Sequence, residues 1–238
     1  MRRIPKGALP VNVDPPGRPA RSLVQAQHDL ALGLRKLAPT ANPAEHARKS
    51  HFDACHKPAL AEPLHREQRG ICVYCEGRVR PDEGTVEHWV ALSRDPARAL
   101  DWKNLYLSCT VADSCDKHKA DQSMGTLPLP CDCSYEQHVG FTSGGEIYAK
   151  EGPYREALEG VLGTSDEPKV LNLNGRRQRA ARAAAIEQLK AQIAGTGRSL
   201  PLEQRQAVAA KLLARNPLPA YVGAQVAWVL WETGARPG

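Results

Sequence analysis

The apolar residues near the start of the chain recur three or four positions apart. From Ser22 to Pro39 the series consists of Leu23, Ala26, Leu30, Leu34 and Leu37. This period predicts an amphipathic helix. Ser22 suits its N-cap, because a serine hydroxyl can accept a hydrogen bond from one of the free N–H groups of a first helical turn.

The segments on either side of this helix show different patterns. Residues 1–20 are rich in proline, glycine and arginine without an apolar period, which predicts an extended arm and not a packed element. After the helix, Asn42-Pro43 is a typical helix start, and we expect a second helix that Pro58 interrupts before a short third helix reaches Gly70.

The second half of the chain predicts a small hairpin followed by helices. Residues 138–141 and 146–148 are strand-like and are separated by Thr-Ser-Gly-Gly, which is typical of a β-hairpin. A short helix is expected in 153–162. A longer helix is expected within 171–195, with Asn174 as its N-cap and Gly195 as its stop. Two more are expected in 201–216 and 218–234.

These elements predict an α+β fold that is mostly helical. We divide the chain into an N-terminal arm with a helical lead-in (1–70), a cysteine-containing core (71–125), and a hairpin with a C-terminal helical region (126–238). The last helix carries an apolar run that could either close the core or bind a partner protein. The run consists of Val226, Trp228, Val229, Leu230 and Trp231.

Charge adds a candidate partner to this picture. The 238-residue chain has a formal charge of +6, and its arginines cluster at 2–3 and at 176, 177, 179 and 182. A polyanion such as nucleic acid could contact the second cluster, and an ordinary solvated helix face is the alternative. No stretch is apolar enough to span a membrane and no signal peptide is evident, so we expect a cytoplasmic protein without a membrane partner.

Four of the seven cysteines form two pairs, Cys72-x2-Cys75 and Cys109-x5-Cys115. In a reducing compartment, paired cysteines favour a metal site over disulfides, and four thiolates can form the closed tetrahedral shell of structural Zn2+. Buried free thiols are the alternative, and the five-residue gap is longer than is usual. A second zinc site from Cys131, Cys133 and Cys55, or ligation by His51 with Cys55, is a weaker possibility.

Residues suited to phosphodiester hydrolysis lie between and after these pairs. His88 could deprotonate water, and Asn104 could hold the imidazole or its loop in place. The carboxylates of Glu87 and Asp116 suit Mg2+ or Mn2+, while Lys119, one turn after Asp116, could reach a phosphate. The spacing therefore predicts a catalytic centre (His88, Asn104, Lys119, with Glu87 and Asp116 as ligands of the catalytic metal) inside a zinc-bound segment.

The order of these motifs resembles the HNH endonucleases. It runs Cys-x2-Cys, Glu-His, Asn-Leu-x-Leu-x-Cys and Cys-Asp-x2-Lys across residues 72–119. The resemblance implies a zinc-stapled ββα-metal HNH core flanked by N-terminal and C-terminal helices. It makes His88 the general base, Glu87 and Asp116 the ligands of the catalytic cation, and Asn104 the central asparagine. The family usually has asparagine or histidine at the position of Asp116.

A wider pattern is similar to the PtuB-like branch found in Septu and retron anti-phage systems. It includes Glu-His-Trp, Asp101-Trp102, Gly-Thr-Leu-Pro-Leu-Pro at 125–130, and Leu-Asn-Leu-Asn at 171–174 before the arginine-rich helix. This resemblance implies a nuclease, most simply for DNA, that works with a PtuA-like ATPase and, in retron systems, with a retron reverse transcriptase and its RNA/DNA product. The alternatives are an RNA-cleaving (tRNA) nuclease, or a zinc-stabilised binding module whose site has decayed.

Overall fold

The computed structural model describes residues 1–193 and 200–230, and these form an α+β fold in which helices predominate over strands. The α-helices are α1 (Leu23–Arg35), α2 (Pro43–His46), α3 (Lys57–Glu67), α4 (Cys115–Lys119), α5 (Arg155–Leu162), α6 (Arg176–Gln192), α7 (Leu202–Ala214) and α8 (Val222–Leu230). The strands β1 (Thr85–His88) and β2 (Leu105–Ser108) form one antiparallel hairpin, and β3 (Val139–Phe141) and β4 (Ile147–Ala149) form another. Within the described ranges, every helix is too short or too polar to cross a bilayer.

The N-terminal helices begin where the sequence predicts, but proline acts differently from the prediction. The Ser22 hydroxyl accepts a hydrogen bond from the backbone nitrogen of Gln25 at 3.2 Å, which confirms the predicted N-cap of α1. The second helix continues from α2 into a π-helical segment, Ala47–Phe52. Pro58 does not interrupt a helix; it lies in the first turn of α3, where a missing N–H leaves no hydrogen bond unmade.

The first twenty residues pack against the rest of the chain, so the prediction of an arm without packing was wrong. Met1, Ile4 and Val13 are buried. The Ile4 nitrogen donates to the carbonyl of Pro130 at 2.9 Å, and the carbonyl of Val13 accepts from the His56 nitrogen at 2.7 Å. These apolar residues are too widely spaced to form a periodic pattern, so a search for periodicity does not detect their burial.

The β1–β2 hairpin separates two of the hydrophobic cores. Glu87 is paired with Tyr106 and His88 with Leu105. Side chains of adjacent residues in a strand point to opposite faces. Tyr106 belongs to a core with Tyr74 and Trp89, whereas Leu105 belongs to the core that α1 and α3 cover. Glu87 and His88 are therefore directed to different sides of the hairpin.

The second hairpin and helix α5 agree with the predicted positions, but the start of α6 does not. Gly175, and not Asn174, is the N-cap residue of α6. The Asn174 side chain instead accepts from the Ile147 nitrogen at 2.9 Å and donates to the carbonyl oxygens of Ile147 and Gly163. Asn174 thus joins β4 to the end of α5, and its position before a helix is not evidence of capping.

One of the clustered arginines is part of the interior. Arg182 is buried and donates to the backbone carbonyls of Gly145 and Leu173, each at 2.5 Å. Burial lowers the pKa of this guanidinium to about 10. The predicted basic face at 176–182 is therefore limited to its N-terminal end, because Arg182 ties α6 to the turn of the second hairpin.

A third core lies between α6, α7 and α8. Trp228 and Val229 are buried there, so the core explanation holds for these two members of the apolar run. Leu230 is partly exposed. Trp231 and the predicted stop at Gly195 lie outside the described residues. The three cores also cross the predicted segment boundaries, since Met1 and Leu173 belong to the same core.

The turn of the second hairpin makes a testable contact with α6. Gly145 has φ +81°, and a Cβ there would overlap the carbonyl oxygen of Arg179 and lie 2.8 Å from the Ala183 nitrogen. Gly145→Ala should cost ~3 kcal/mol or more, the sum of left-handed strain and overpacking. Gly125→Ala is the matched control: Gly125 has φ +63° with nothing within 4 Å, so we expect a loss of only ~1 kcal/mol. Urea unfolding of both variants measures the difference, and equal losses would contradict this packing.

Candidate metal centre and catalytic site

Four cysteine thiols converge at one buried point. The sulfur atoms of Cys72, Cys75, Cys109 and Cys115 all lie within 4.8 Å of one another, and Cys75 Sγ and Cys109 Sγ are 3.7 Å apart. A tetrahedral zinc site with Zn–S bonds of ~2.3 Å places its sulfurs ~3.8 Å apart. The donor set and its spacing therefore fit a single metal ion such as zinc, and this grouping agrees with the predicted pairs.

A tight turn presents the first pair. Ile71 and Arg78 are bridged, and the Cys72 nitrogen donates to the Gly77 carbonyl at 2.8 Å. The Gly77 nitrogen in turn donates to Cys75 Sγ at 3.3 Å, as the Cys109 nitrogen does to Cys72 Sγ. Backbone N–H groups directed at sulfur favour the thiolate form, which is the form that binds metal.

The five-residue gap in the second pair forms a loop that contacts residues 171–178. Within this gap, the Ser114 hydroxyl accepts from Gln178 Nε2 at 2.7 Å, and the carbonyl of Asp113 accepts from Asn172 Nδ2 at 2.6 Å. The Cys115 nitrogen donates to the carbonyl of Leu171 at 3.0 Å. The longer loop thus binds the segment that leads into α6 and still returns Cys115 to the cluster.

The other three cysteines do not form a second metal site. Among the described residues, the four-cysteine group is the one cluster of three or more potential ligands within metal-binding distance. Cys55 lies in the core beneath α1 and α3, where its thiol donates to the His51 carbonyl at 3.3 Å, and Cys133 lies in the core on the other side of the hairpin. The weaker predictions of a Cys55, Cys131 and Cys133 site and of His51–Cys55 ligation are not supported.

Glu87 lies in a buried polar contact beside α4. Its Oε1 accepts from Lys119 Nζ at 2.7 Å and from the Tyr74 hydroxyl at 3.0 Å. Burial and the adjoining carboxyl group of Asp116 raise the pKa of Glu87 to about 8, while the charge of Lys119 opposes this shift. Two neighbouring carboxyl groups thus lie in a poorly solvated environment, where the ammonium group of Lys119 balances part of their charge. Such a pair of carboxyl groups suits a hard divalent metal ion.

Lys119 has a different role from the predicted one. Its side chain is almost fully buried, and Nζ donates to Glu87 and also to the carbonyl of His88 at 2.9 Å. An ammonium group held by these two acceptors is not available to a phosphate in solution. Lys119 therefore connects α4 to the end of β1, because one helical turn after Asp116 brings its side chain over the hairpin.

His88 is held on the opposite face of the hairpin. Its Nε2 donates to the carbonyl oxygen of Ala99 at 2.9 Å, and its ring meets Phe52 edge-on with centroids 4.5 Å apart. Because a carbonyl oxygen can only accept, Nε2 carries the proton and Nδ1 keeps the lone pair. Burial lowers the pKa of His88 to about 4, so the imidazole is neutral at neutral pH. The described residues show no hydrogen bond between His88 and Glu87 or Asp116.

Asn104 fixes the loop that connects the two strands. The fully buried side chain accepts from the Val90 nitrogen at 2.8 Å and donates to the carbonyls of Val90 and Arg98 at 3.1 and 3.2 Å. Its own carbonyl accepts from the Trp89 nitrogen. Arg98 directly precedes Ala99, so Asn104 sets the position of the carbonyl that binds His88. Of the two predicted functions, Asn104 holds the loop and not the imidazole itself.

The sequence prediction missed two partners of these residues. Tyr74 binds Glu87 from inside the first cysteine pair, and the backbone of Ala99 orients His88. A tyrosine next to a cysteine has many possible roles, and a backbone carbonyl has no sequence signal at all. Both contacts depend on how the cysteine turn and the loop after β1 fold onto the hairpin.

An arginine-lined cavity lies beside the loop between Cys109 and Cys115. It has a volume of about 490 Å3, and its lining includes Ser114, Gly175, Arg176 and Arg177. The two arginines are exposed, the first turn of α6 contains no acidic residue, and Gly175 provides no side-chain cap for its N–H groups. Asp113 also lines the cavity, so two cationic side chains and one anionic side chain meet at this accessible end of the arginine cluster.

Comparison with known proteins does not assign the chain to a family. No family model matches the chain, and no curated protein matches it significantly.

The cysteine cluster leads to a prediction about metal content. The purified protein should contain about one zinc per chain, and Cys72→Ser or Cys115→Ser should give protein that is insoluble or much less stable, since structural zinc contributes folding free energy directly. Cys131→Ser is the control, because Cys131 lies outside the cluster. Elemental analysis and thermal unfolding provide the measurements. Soluble, stable wild-type protein without zinc would rule out a structural metal at this position.

Proposed function

We propose that this chain is a metal-dependent endonuclease of the HNH type that hydrolyses phosphodiester bonds, most simply those of DNA. The observation that carries the proposal is the arrangement around the β1–β2 hairpin. A histidine with a defined tautomer follows a carboxylate at the end of β1, the next helix brings up a second carboxylate, and a buried asparagine holds the loop between the strands. A segment with a purely structural role would not need this combination.

The residues around His88 support its assignment as the general base. With Nε2 bound to Ala99, the imidazole can accept a proton from water only at Nδ1. Because Asn104 fixes the Ala99 carbonyl through the adjacent residue, the ring is oriented before substrate arrives. Such preorganisation removes a reorganisation step from the reaction, which is a recognised source of catalytic rate.

The carboxylates support a divalent cation of the Mg2+ or Mn2+ type, held by Glu87 and Asp116. When bound, such an ion would neutralise charge on the phosphate and the leaving oxygen. Asp116 differs from the asparagine or histidine usual at this position in HNH enzymes. Lys119 offsets the additional negative charge, because its ammonium group contacts Glu87 at 2.7 Å.

The cavity at the start of α6 supports contact with the nucleic-acid backbone. Exposed Arg176 and Arg177 flank uncapped N–H groups at a helix N-terminus, where the helix dipole also favours anions. The cavity adjoins Ser114, two residues before Asp116. A strand that crosses the carboxylates could therefore place a neighbouring phosphate there.

A role in anti-phage defence and a PtuA-like ATPase partner rest on the motif resemblance alone. The alternative of a decayed binding module is weakened by the intact set of Glu87, His88 and Asn104 with their partners. Parallel cleavage assays on DNA and on tRNA distinguish a DNA substrate from an RNA substrate.

The central prediction concerns His88. His88→Ala should lower cleavage of plasmid DNA by ~10²–10⁴-fold with Mg2+ or Mn2+, because a positioned base is removed. Cleavage is measured on supercoiled plasmid and, in parallel, on tRNA. The matched control is His118→Ala, since His118 lies on α4 near Asp116 but directs its ring to the Val170 carbonyl. This control should cut at close to the wild-type rate.

Two results would contradict the proposal. One is wild-type cleavage by a folded, zinc-containing His88→Ala variant, and the other is the absence of cleavage of either nucleic acid by the wild type alone and with a co-expressed ATPase partner. Binding of nucleic acid without cleavage in all these assays would favour the decayed binding module.

A second prediction concerns binding and not chemistry. The double variant Arg176→Ala and Arg177→Ala should bind nucleic acid more weakly, and the slope of log K against log salt should decrease by about 1 for each phosphate that the protein no longer neutralises. Arg35→Ala with Lys36→Ala removes the same charge from an exposed pair at the end of α1. If both double variants show the same decrease in affinity and slope, the weaker binding reflects only the lower net charge of the protein. The start of α6 would then not be a specific site for nucleic acid.

A further inference from the structure

We propose that Tyr74 is a positioning residue for the Glu87 carboxylate, so that the turn bearing the first cysteine pair also sets the geometry of the catalytic cation site. This inference rests on the function proposed above and adds a residue to it. The Tyr74 hydroxyl donates to Glu87 Oε1 at 3.0 Å, and both side chains are buried. A phenol is protonated at neutral pH and is therefore a hydrogen-bond donor to this oxygen.

The geometry distinguishes the two oxygens of Glu87. Tyr74 and Lys119 both donate to Oε1, whereas Asp116 approaches the Glu87 carboxyl group within side-chain hydrogen-bonding reach. A carboxylate held through one oxygen presents the other in a fixed direction. If Lys119 were the only donor, the carboxylate could still rotate about the Nζ–Oε1 contact. A second donor from a different element removes this freedom and defines the plane of the carboxylate.

Tyr74 is itself held rigidly. It lies between Cys72 and Cys75, and its ring stacks on Trp89 with centroids 5.7 Å apart and planes 24° apart. The Val73 nitrogen donates to the Leu107 carbonyl, which attaches the turn to β2. A ring fixed by a cysteine turn on one side and by an aromatic neighbour on the other has little freedom to move, so its hydroxyl holds Glu87 in one position.

Other metal sites indicate how much the loss of the Tyr74 hydroxyl should weaken metal binding. Removal of a group that orients a metal ligand typically weakens metal binding by ~10–100-fold. Tyr74→Phe deletes only the hydroxyl and keeps the ring that packs on Trp89. Tyr106→Phe is the matched control: Tyr106 is also fully buried and lies directly across the hairpin from Glu87, but its hydroxyl neighbours Cys131 and not the Glu87 carboxyl group.

The experiment measures Mn2+ affinity directly, by electron paramagnetic resonance of free Mn2+ on zinc-loaded protein without nucleic acid. We expect Tyr74→Phe to bind Mn2+ at least ~10-fold more weakly than wild type, as removal of an orienting partner predicts. Tyr106→Phe should match the wild type, and Glu87→Gln should abolish most of the binding. Cleavage by Tyr74→Phe should return toward the wild-type rate at high Mn2+, with unchanged affinity for nucleic acid and unchanged zinc content.

The outcomes separate this inference from the proposed function. If Glu87→Gln weakens Mn2+ binding and Tyr74→Phe does not, the role of Tyr74 is wrong and the nuclease proposal stands. If the wild type binds no Mn2+, or if Glu87→Gln binds Mn2+ as the wild type does, both the role of Tyr74 and the nuclease proposal are overturned. If Tyr74→Phe loses zinc, the test is a carbon-13 NMR measurement on the wild type with the Cζ atoms of its tyrosines labelled. Addition of Mg2+ should shift one tyrosine resonance, and this resonance should also be present in the spectrum of Tyr106→Phe, so that it does not come from Tyr106. The absence of a shift would overturn the inference.

Discussion

The rest of the structure depends on the convergence of four buried thiols. Cys72 and Cys75 come from a turn before the first hairpin, Cys109 from the end of β2, and Cys115 from the start of α4. Four sulfur atoms this close are stable as thiolates only if a cation offsets their charge, and their distances suit a zinc ion. This cluster joins the hairpin to α4, and the candidate catalytic residues lie on those two elements or in the loop between the strands.

The hairpin divides the candidate site between two environments. On one face, Glu87 contacts Lys119, Tyr74 and the neighbouring Asp116, where charge and hydrogen bonds decide the arrangement. On the other face, His88 is packed against Phe52 and bound to a backbone carbonyl, so its orientation depends on apolar packing and on the loop held by Asn104. Adjacent residues in a strand thus acquire opposite electrostatics, with a raised pKa for the carboxyl group and a lowered one for the imidazole.

Helix α6 connects this region to the C-terminal part of the chain. Two of its buried polar residues, Gln178 and Arg182, bind the loop before Cys115 and the turn of the second hairpin. Its first two arginines remain exposed beside the same loop. One helix therefore has two roles, because residues a turn apart share a face while their neighbours point away from it. The packing that fixes the loop also places positive charge next to the candidate site.

Much of this organisation could be predicted from local patterns. The cap at Ser22, the second hairpin, the later helices and the grouping of the four cysteines all follow from spacing and residue type, which act over short distances. What only the tertiary structure decided are the contacts between distant segments: the packing of residues 1–20, the burial of Arg182, and the engagement of Lys119 with Glu87 instead of a phosphate. The pairing of Tyr74 with Glu87 and the binding of His88 to the Ala99 carbonyl belong to the same class. Each of these contacts depends on which surfaces pack together when the chain folds. A buried charged group or hydroxyl binds the partner that lies on the facing surface, and the spacing of residues along the sequence does not specify that partner.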